Sequence, residues 1–387
     1  MRSRAILVLL ALAASGTPLA GQSIFNAAGL GVPVEPLDAR ARALGSVGIG
    51  LRGGAFTPND PAALGRLSIA TGVMAGQPSW VDYSSGPESG EFRGNRFPLL
   101  GVAYPAFGGM MSVQIGSFLD QHYRSASTGS VDLSSGTVGS TDEFEQDGSV
   151  STLNLGYARL IGSSVAVGIS YGRLAGSVDR VLTRSFADEA ASDVDDYVER
   201  GTWSYGGHQV MGGVSADLGS RFRLAASVHV PTDLDAVATE ETRGDDRSFD
   251  LPIQLRAGGS ALLLPGLVVS GSVALADWSS LQDDLLGSDR AETASGFGVG
   301  VELTQARVLG RDAPLRLGFR RTRLPFAFDE DGVTERIFSG GFGISLNTTS
   351  EIVLAGLDLA IERGLRSGSN ISENFWRATI SLVASGF

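Results

Sequence analysis

Side-chain character repeats every second residue along most of this chain, and few architectures satisfy that pattern over such a length. Near the C-terminus, Trp376, Ala378, Ile380, Leu382 and Ala384 form an apolar row, with Arg377, Thr379 and Ser381 between them. Successive side chains of a strand point to opposite faces, so one face would meet an apolar medium and the other a wet one. The same phase governs Val165, Val167, Ile169 and Tyr171; Phe222, Leu224, Ala226, Val228 and Val230; and Phe338, Phe342, Ile344 and Leu346. It also governs Ile253, Leu255 and Ala257, and Val353, Ala355, Leu357, Leu359 and Ile361. The other face is mostly Gly, Ser and Ala. A soluble sandwich alternates too, but its polar face usually carries more charge. Small residues fit a curved wall with material packed inside.

About fourteen such segments follow Leu67. The connections between them sort into short and long, and the two kinds alternate. Short ones lie at 107–108, 161–163, 219–220, 265–266 and 347–350, with a longer one at 307–313. Long polar ones lie at 81–95, 122–143, 185–197, 237–246, 281–292, 325–334 and 364–372. Short periplasmic turns and longer external loops are the usual asymmetry of outer-membrane barrels, whose even strand number puts both ends on one side. The fold expected is therefore all-β, a transmembrane antiparallel barrel.

Residues 1–21 read as a secretory signal, with Arg2 and Arg4 before an apolar core and small residues at the cut. That core is too short to span a bilayer as a helix, and no later run reaches about 18 apolar residues. Residues 22–66 are rich in Gly, Ala and Pro without a two-residue period. They are expected to form a plug, and 67–387 the barrel. Cysteine is absent, which excludes disulfides, thiolate metal sites and Cys nucleophiles. Lysine is absent too, so the 30 basic residues are all Arg. A net charge of −12 argues against a nucleic-acid partner. The acidic runs, such as Asp142-Glu143-Phe144-Glu145, read as solvated loop tips, with divalent bridging to lipopolysaccharide as the alternative.

The stretch ARALGSVGIGLRGGAFTPNDPAALGRL, Ala41 to Leu67, resembles the N-terminal signature of the FadL-type superfamily of outer-membrane transport proteins. The plug motif falls on Gly53, Gly54, Asn59, Asp60, Pro61 and Ala62, with Asp60 departing from the commonest pattern. Leu251 to Ser280, the run from Pro314 through Phe319, and Ala360 to Leu382 are similar to the family as well. The resemblance implies a fourteen-stranded, plugged barrel in the outer membrane of a Gram-negative-type bacterium. It implies passive uptake of hydrophobic small molecules, such as long-chain fatty acids or hydrocarbons, with release sideways through the wall. The alternative it leaves open is a scaffold or shuttle for protein secretion of the type IX kind. Expected partners are outer-membrane lipid and lipopolysaccharide, a hydrophobic ligand, and the barrel-assembly machinery during biogenesis; the chain is read as a monomer.

Lumen-phase polar residues are Gln114, Asn154, Arg173, Asp217, Arg223, His229, Gln254, Arg256, Glu302, Arg316, Arg320, Asp358, Glu362 and Arg377. On the lipid face each charge would cost ~2–4 kcal/mol at mid-membrane, so these should face water, plug or one another. Arg223, His229, Arg256, Arg316 and Arg320 are the candidate substrate contacts. Arg256 and Arg316 stand out as bidentate receivers of a carboxylate. Phe326 and Phe328 are candidates for an apolar capture groove or for interfacial aromatics. His122, His208 and His229 are too scattered for a metal centre, and no Ser–His pair is evident. The chain is therefore read as a non-enzyme without a cofactor. Gly45 to Gly50 lacks the context of a nucleotide loop, and 329–332 lacks the rest of a calcium motif.

Overall fold

The computed structural model describes residues 23–386 except 54–55, 134–135, 187–194, 286–288, 309–310, 329–330 and 350–351. The expected leader therefore lies outside the described residues. Fourteen strands close into one antiparallel barrel. They are β1 (Thr71–Ser85), β2 (Glu88–Ala106), β3 (Gly109–Asp120), β4 (Gly136–Ile161) and β5 (Val165–Phe186). Next come β6 (Tyr197–Leu218), β7 (Phe222–Pro231), β8 (Gln254–Leu264), β9 (Leu267–Asp277) and β10 (Thr293–Leu303). The last are β11 (Leu315–Arg323), β12 (Thr334–Thr349), β13 (Ile352–Gly368) and β14 (Ile371–Ser385). Closure comes from β1 against β14, in register from Thr71 opposite Ser385 to Ser85 opposite Ile371. A closed wall satisfies its own backbone groups, as an apolar surrounding demands.

The phase read from sequence sets the two faces. Leu224, Val228, Leu255, Val273, Leu275 and Trp376 are exposed on the outside, while Ser227, His229, Ser260, Arg316 and Arg377 are buried toward the bore. Arg173 departs from its expected place. It continues the outward row of Tyr171 and is exposed, because a strand's parity leaves no alternative.

Short turns at 107–108, 162–164, 219–221 and 265–266 mark one rim, the lower. At the upper rim three expected loops are strand instead. β1 and β2 run on to a two-residue turn at 86–87, and β13 and β14 to one at 369–370. A further strand, Tyr123–Leu133, pairs back onto β4. Apart from Val81 and Phe92, which pack with Ile337 and Phe375, these extensions are mostly polar, so little apolar contrast betrays the strand. Leu234–Ala238 pairs with the upper part of β6 and with Arg247–Phe249, whereas the described parts of 281–292 and 325–334 behave differently. A 3₁₀ helix (Trp278–Asp284) and a two-residue pairing of Arg290–Ala291 with Phe326–Ala327 fold inward over the bore.

Residues 23–53 and 56–66 thread down the lumen. Ser23 hydrogen-bonds Glu373 (2.8 Å) near the upper turn of β13 and β14. Arg66 donates to the Ser164 carbonyl (2.9 Å) at the lower rim. Between them lie a helical turn, α1 (Ala39–Ala43), capped by Asp38, and a 3₁₀ helix (Pro61–Arg66) capped by Asp60. The plug backbone approaches the wall where the wall has no side chain. A Cβ on Gly318 would sit 2.0 Å from the Gly45 nitrogen, and one on Gly298 2.2 Å from the Gly45 carbonyl oxygen. Gly168 meets the Pro61 carbonyl in the same way.

Candidate functional site

The upper bore is roofed by apolar groups from wall, plug and folded-in loops. Ala28 and Leu30 of the plug pack with Phe118, Leu174, Phe249, Trp278, Leu281 and Phe326. Trp278 and Phe326 meet edge to face at 5.4 Å. Full burial of side chains such as Phe or Leu contributes roughly 1.5–3 kcal/mol each, so this packing holds the roof together. Beneath it lies a chamber of about 150 Å³. Phe118, Trp278, Leu324 and Pro325 line its apolar side; Glu35, His229, Gln209, Arg256 and Arg320 line its polar side.

The polar side is a charge network centred on plug and wall. Glu35 of the plug holds Arg320 at 2.8 Å and lies 3.6 Å from Arg256. Arg320 also binds Glu335 (2.7 Å), which Arg366 and Arg377 share at 2.7 and 3.1 Å. Arg366 continues to Glu373 (2.6 Å) and to Ser23 of the plug. Lower down, Glu302 receives Arg40 of the plug and Arg316 of the wall, each at 2.7 Å, and Arg316 also engages Asp358. Arg223 binds Asp217 (2.7 Å) and donates to the Leu51 carbonyl of the plug (2.8 Å). Guanidinium–carboxylate contacts of this kind are strong where water is scarce.

One part of the wall is not continuous. β2 and β3 pair from Ala106–Gly109 to Leu99–Gly116, and there the pairing stops. Above that point β2 stays with β1, and residues 117–120 of β3 stay with β4 across an irregularity at Phe118. Pro98, which has no N–H to offer, stands where the strands part. The vacated edge of β3 is taken by the plug: Val32 pairs with Asp120, Pro33 with Leu119, and the Val34 N–H donates to the Phe118 carbonyl (2.8 Å). Arg96 of β2 reaches Asp120 of β3 at 3.4 Å. Pro33, Val34, Ser117 and Phe118 all line the chamber, so the chamber abuts the split.

No family model and no curated protein matches the chain. Solved structures do. A Pseudomonas aeruginosa FadL homologue aligns with a TM-score of 0.63 at 12% identity, over 92% of this chain and 99% of that one. The Pseudomonas putida toluene transporter TodX aligns at 0.57 and 13%, over 92% and 98%. The CymD monoaromatic hydrocarbon channel aligns at 0.56 and 14%, again over 92% and 98%. The fold is FadL-type.

Within this FadL-type frame the expected site residues fall into distinct places. His229, Arg256 and Arg320 converge on the chamber. Arg223 and Arg316 sit elsewhere in the bore, each bound to carboxylates. His229 is buried and bonded to Gln209 (2.7 Å), His208 stacks on Tyr171 outside, and His122 lies at the upper rim. Of the plug motif, Asp60 accepts from the Gly50 N–H (3.0 Å) and from the Ala63 N–H (3.2 Å), capping the helix that Pro61 and Ala62 begin, and the Asn59 carbonyl accepts from Ser227 (2.8 Å). Gly53 has a left-handed backbone (φ 82°), and Gly54 lies outside the described residues. Phe326 and Phe328 face inward, Phe326 in the roof and Phe328 against Phe25 of the plug. Sequence reasoning missed Glu35, Phe118 and Trp278. Glu35 had a signal, as the one acid in the run VPVEPL, but with no strand period to give it a direction.

Proposed function

We propose that this chain is an outer-membrane channel for passive uptake of hydrophobic small molecules. Its short-turn rim faces the periplasm, and its cargo leaves the bore sideways between β2 and β3. The observation that carries this reading is the split itself. An apolar-roofed chamber abuts the one stretch of wall without strand pairing among the described residues, where the plug's edge strand and the Arg96–Asp120 ion pair stand in the way. A water-filled exit through the lower rim would leave a hydrophobic cargo in the wrong solvent, whereas a lateral exit delivers it to acyl chains.

The chamber favours a compact cargo. In size alone, about 150 Å³ is the volume of a cavity that accommodates benzene. Arg320, Arg316 and Arg223 are already committed to carboxylates, which leaves Arg256, 3.6 Å from Glu35, as the chamber guanidinium least engaged. Two of the similar structures are a monoaromatic hydrocarbon channel and a toluene transporter, which agrees with a single-ring cargo. The test is expression in cells that lack their own hydrocarbon channel, followed by uptake of labelled toluene and labelled oleate. Toluene uptake should rise several-fold and oleate uptake less. A barrel that reaches the outer membrane and raises neither would overturn the proposal.

A further inference from the structure

The outer face of the wall carries a concavity where a barrel is normally convex. It spans β6 to β12, with a volume of about 1060 Å³. Small outward residues, Gly212, Ala226 and Ala257, set its depth, and Val228, Leu255 and Phe297 stand exposed around them. Register places these side chains in one continuous field: Val228 opposite Leu255, Ala226 opposite Ala257, and Phe297 beside Val273. The concavity lies toward the upper ends of its strands, on the half of the apolar belt nearer the external rim.

Its upper margin is cationic. Arg321 and Arg323 line it, and Arg336 stands directly across the strand pair from Arg321. Arg323 is bound to Glu292 at 2.6 Å. Arg321 and Arg336 have no acidic partner among the described residues. Like charges directly opposite on one face are destabilising, and the interior acids Glu335 and Glu362 are on the far side of the sheet, engaged with the bore. A face-to-face pair of guanidiniums at the lip of an apolar groove calls for an anion that brings hydrocarbon with it.

We propose that this groove binds a phosphorylated acyl glycolipid of the outer leaflet, of the lipid A class. Its acyl chains lie along Val228, Leu255 and Phe297, and a phosphate bridges Arg321 and Arg336. The site rests on the membrane reading above, but it is separate from the cargo path, which leaves between β2 and β3 on another part of the wall. It gives the barrel a bound lipid that fixes its depth in the outer leaflet and neutralises the guanidinium pair.

The probe is purified lipid A, with phosphatidylcholine as the neutral comparison, each offered to the full mature chain in nanodiscs and counted by native mass spectrometry. Wild type should hold lipid A in preference to phosphatidylcholine. The double variant R321Q/R336Q should weaken lipid A binding by about tenfold or more, a change of about 1.4 kcal/mol or more. Ala226→Trp, which fills the groove and keeps both charges, should weaken it as well. Arg173→Gln, an outward change away from the groove, should leave it unaltered. Heat-modifiable gel migration reports whether each barrel is folded. Equal affinity of wild type for the two lipids, or undiminished lipid A binding by a folded double variant, overturns the proposal and leaves the membrane reading standing. A wild-type chain that stays soluble without detergent and enters no bilayer overturns both.

Discussion

Two side chains show how much of the site depends on single charges. Glu35 is the plug's only carboxylate within reach of the chamber arginines, at 2.8 Å from Arg320 and 3.6 Å from Arg256. Replacing it by Gln leaves a partly buried guanidinium underpaired. Breaking a fully buried pair costs about 3–5 kcal/mol, and Arg320 retains Glu335, so a loss of about 2 kcal/mol in plug docking is expected. Limited proteolysis should then cut the plug faster while the barrel keeps its folded migration; equal cleavage rates would count against the assignment. His122 behaves differently. Burial opposes a charge on its ring, but the hydrogen bond and charge of Asp120, with Asp147 beyond, outweigh it and raise its pKa. The folded state therefore binds this proton more tightly than the unfolded chain. The stabilisation is complete below the ordinary histidine value of about 6.5 and is lost as pH rises through the higher folded value. Amide protection near 118–123, after correction for the intrinsic base-catalysed exchange rate, should fall on alkalinisation in wild type, and His122→Gln should abolish that fall.

At the scale of elements, the plug strand and the parted pair β2 and β3 act together. The plug's Val32–Pro33 segment completes the edge of β3 that β2 abandons. Cross-strand neighbours lie at distances that suit a disulfide, and the chain has no native cysteine to interfere. Pro33→Cys combined with Leu119→Cys should lock the strand in place. Under oxidising conditions toluene uptake should fall to the level of cells without the protein, and reductant should restore it. Full uptake by the crosslinked protein would show that the cargo leaves elsewhere. This device was not legible in the sequence. Residues 22–66 lack a period, and a two-residue pairing inside a bore has no apolar–polar contrast to announce it. The interruption did leave one trace, Pro98 within an otherwise regular strand.

For the whole molecule, the closed wall was legible because lipid on one side and packed small residues on the other impose a strict alternation. Fourteen strands and the outward rows at Trp376, Val228 and Leu255 follow from that contrast alone. Where both rows are mostly polar the rule fails, which is why β1, β2, β13 and β14 extend past their expected ends. Of the candidate arginines, the phase showed which ones face inward. It held nothing about which carboxylate each would meet, since Glu302, Glu335 and Glu35 come from distant parts of the chain.

The bare backbone contacts at Gly298, Gly318 and Gly168 carry a consequence for descent. A stopper fitted so closely to its cylinder cannot drift alone: any thickening on one partner demands thinning on the other. Exchanging amino-terminal segments between barrels of this architecture should therefore succeed only when the matching glycines travel with them, so the two parts are inherited as a single unit.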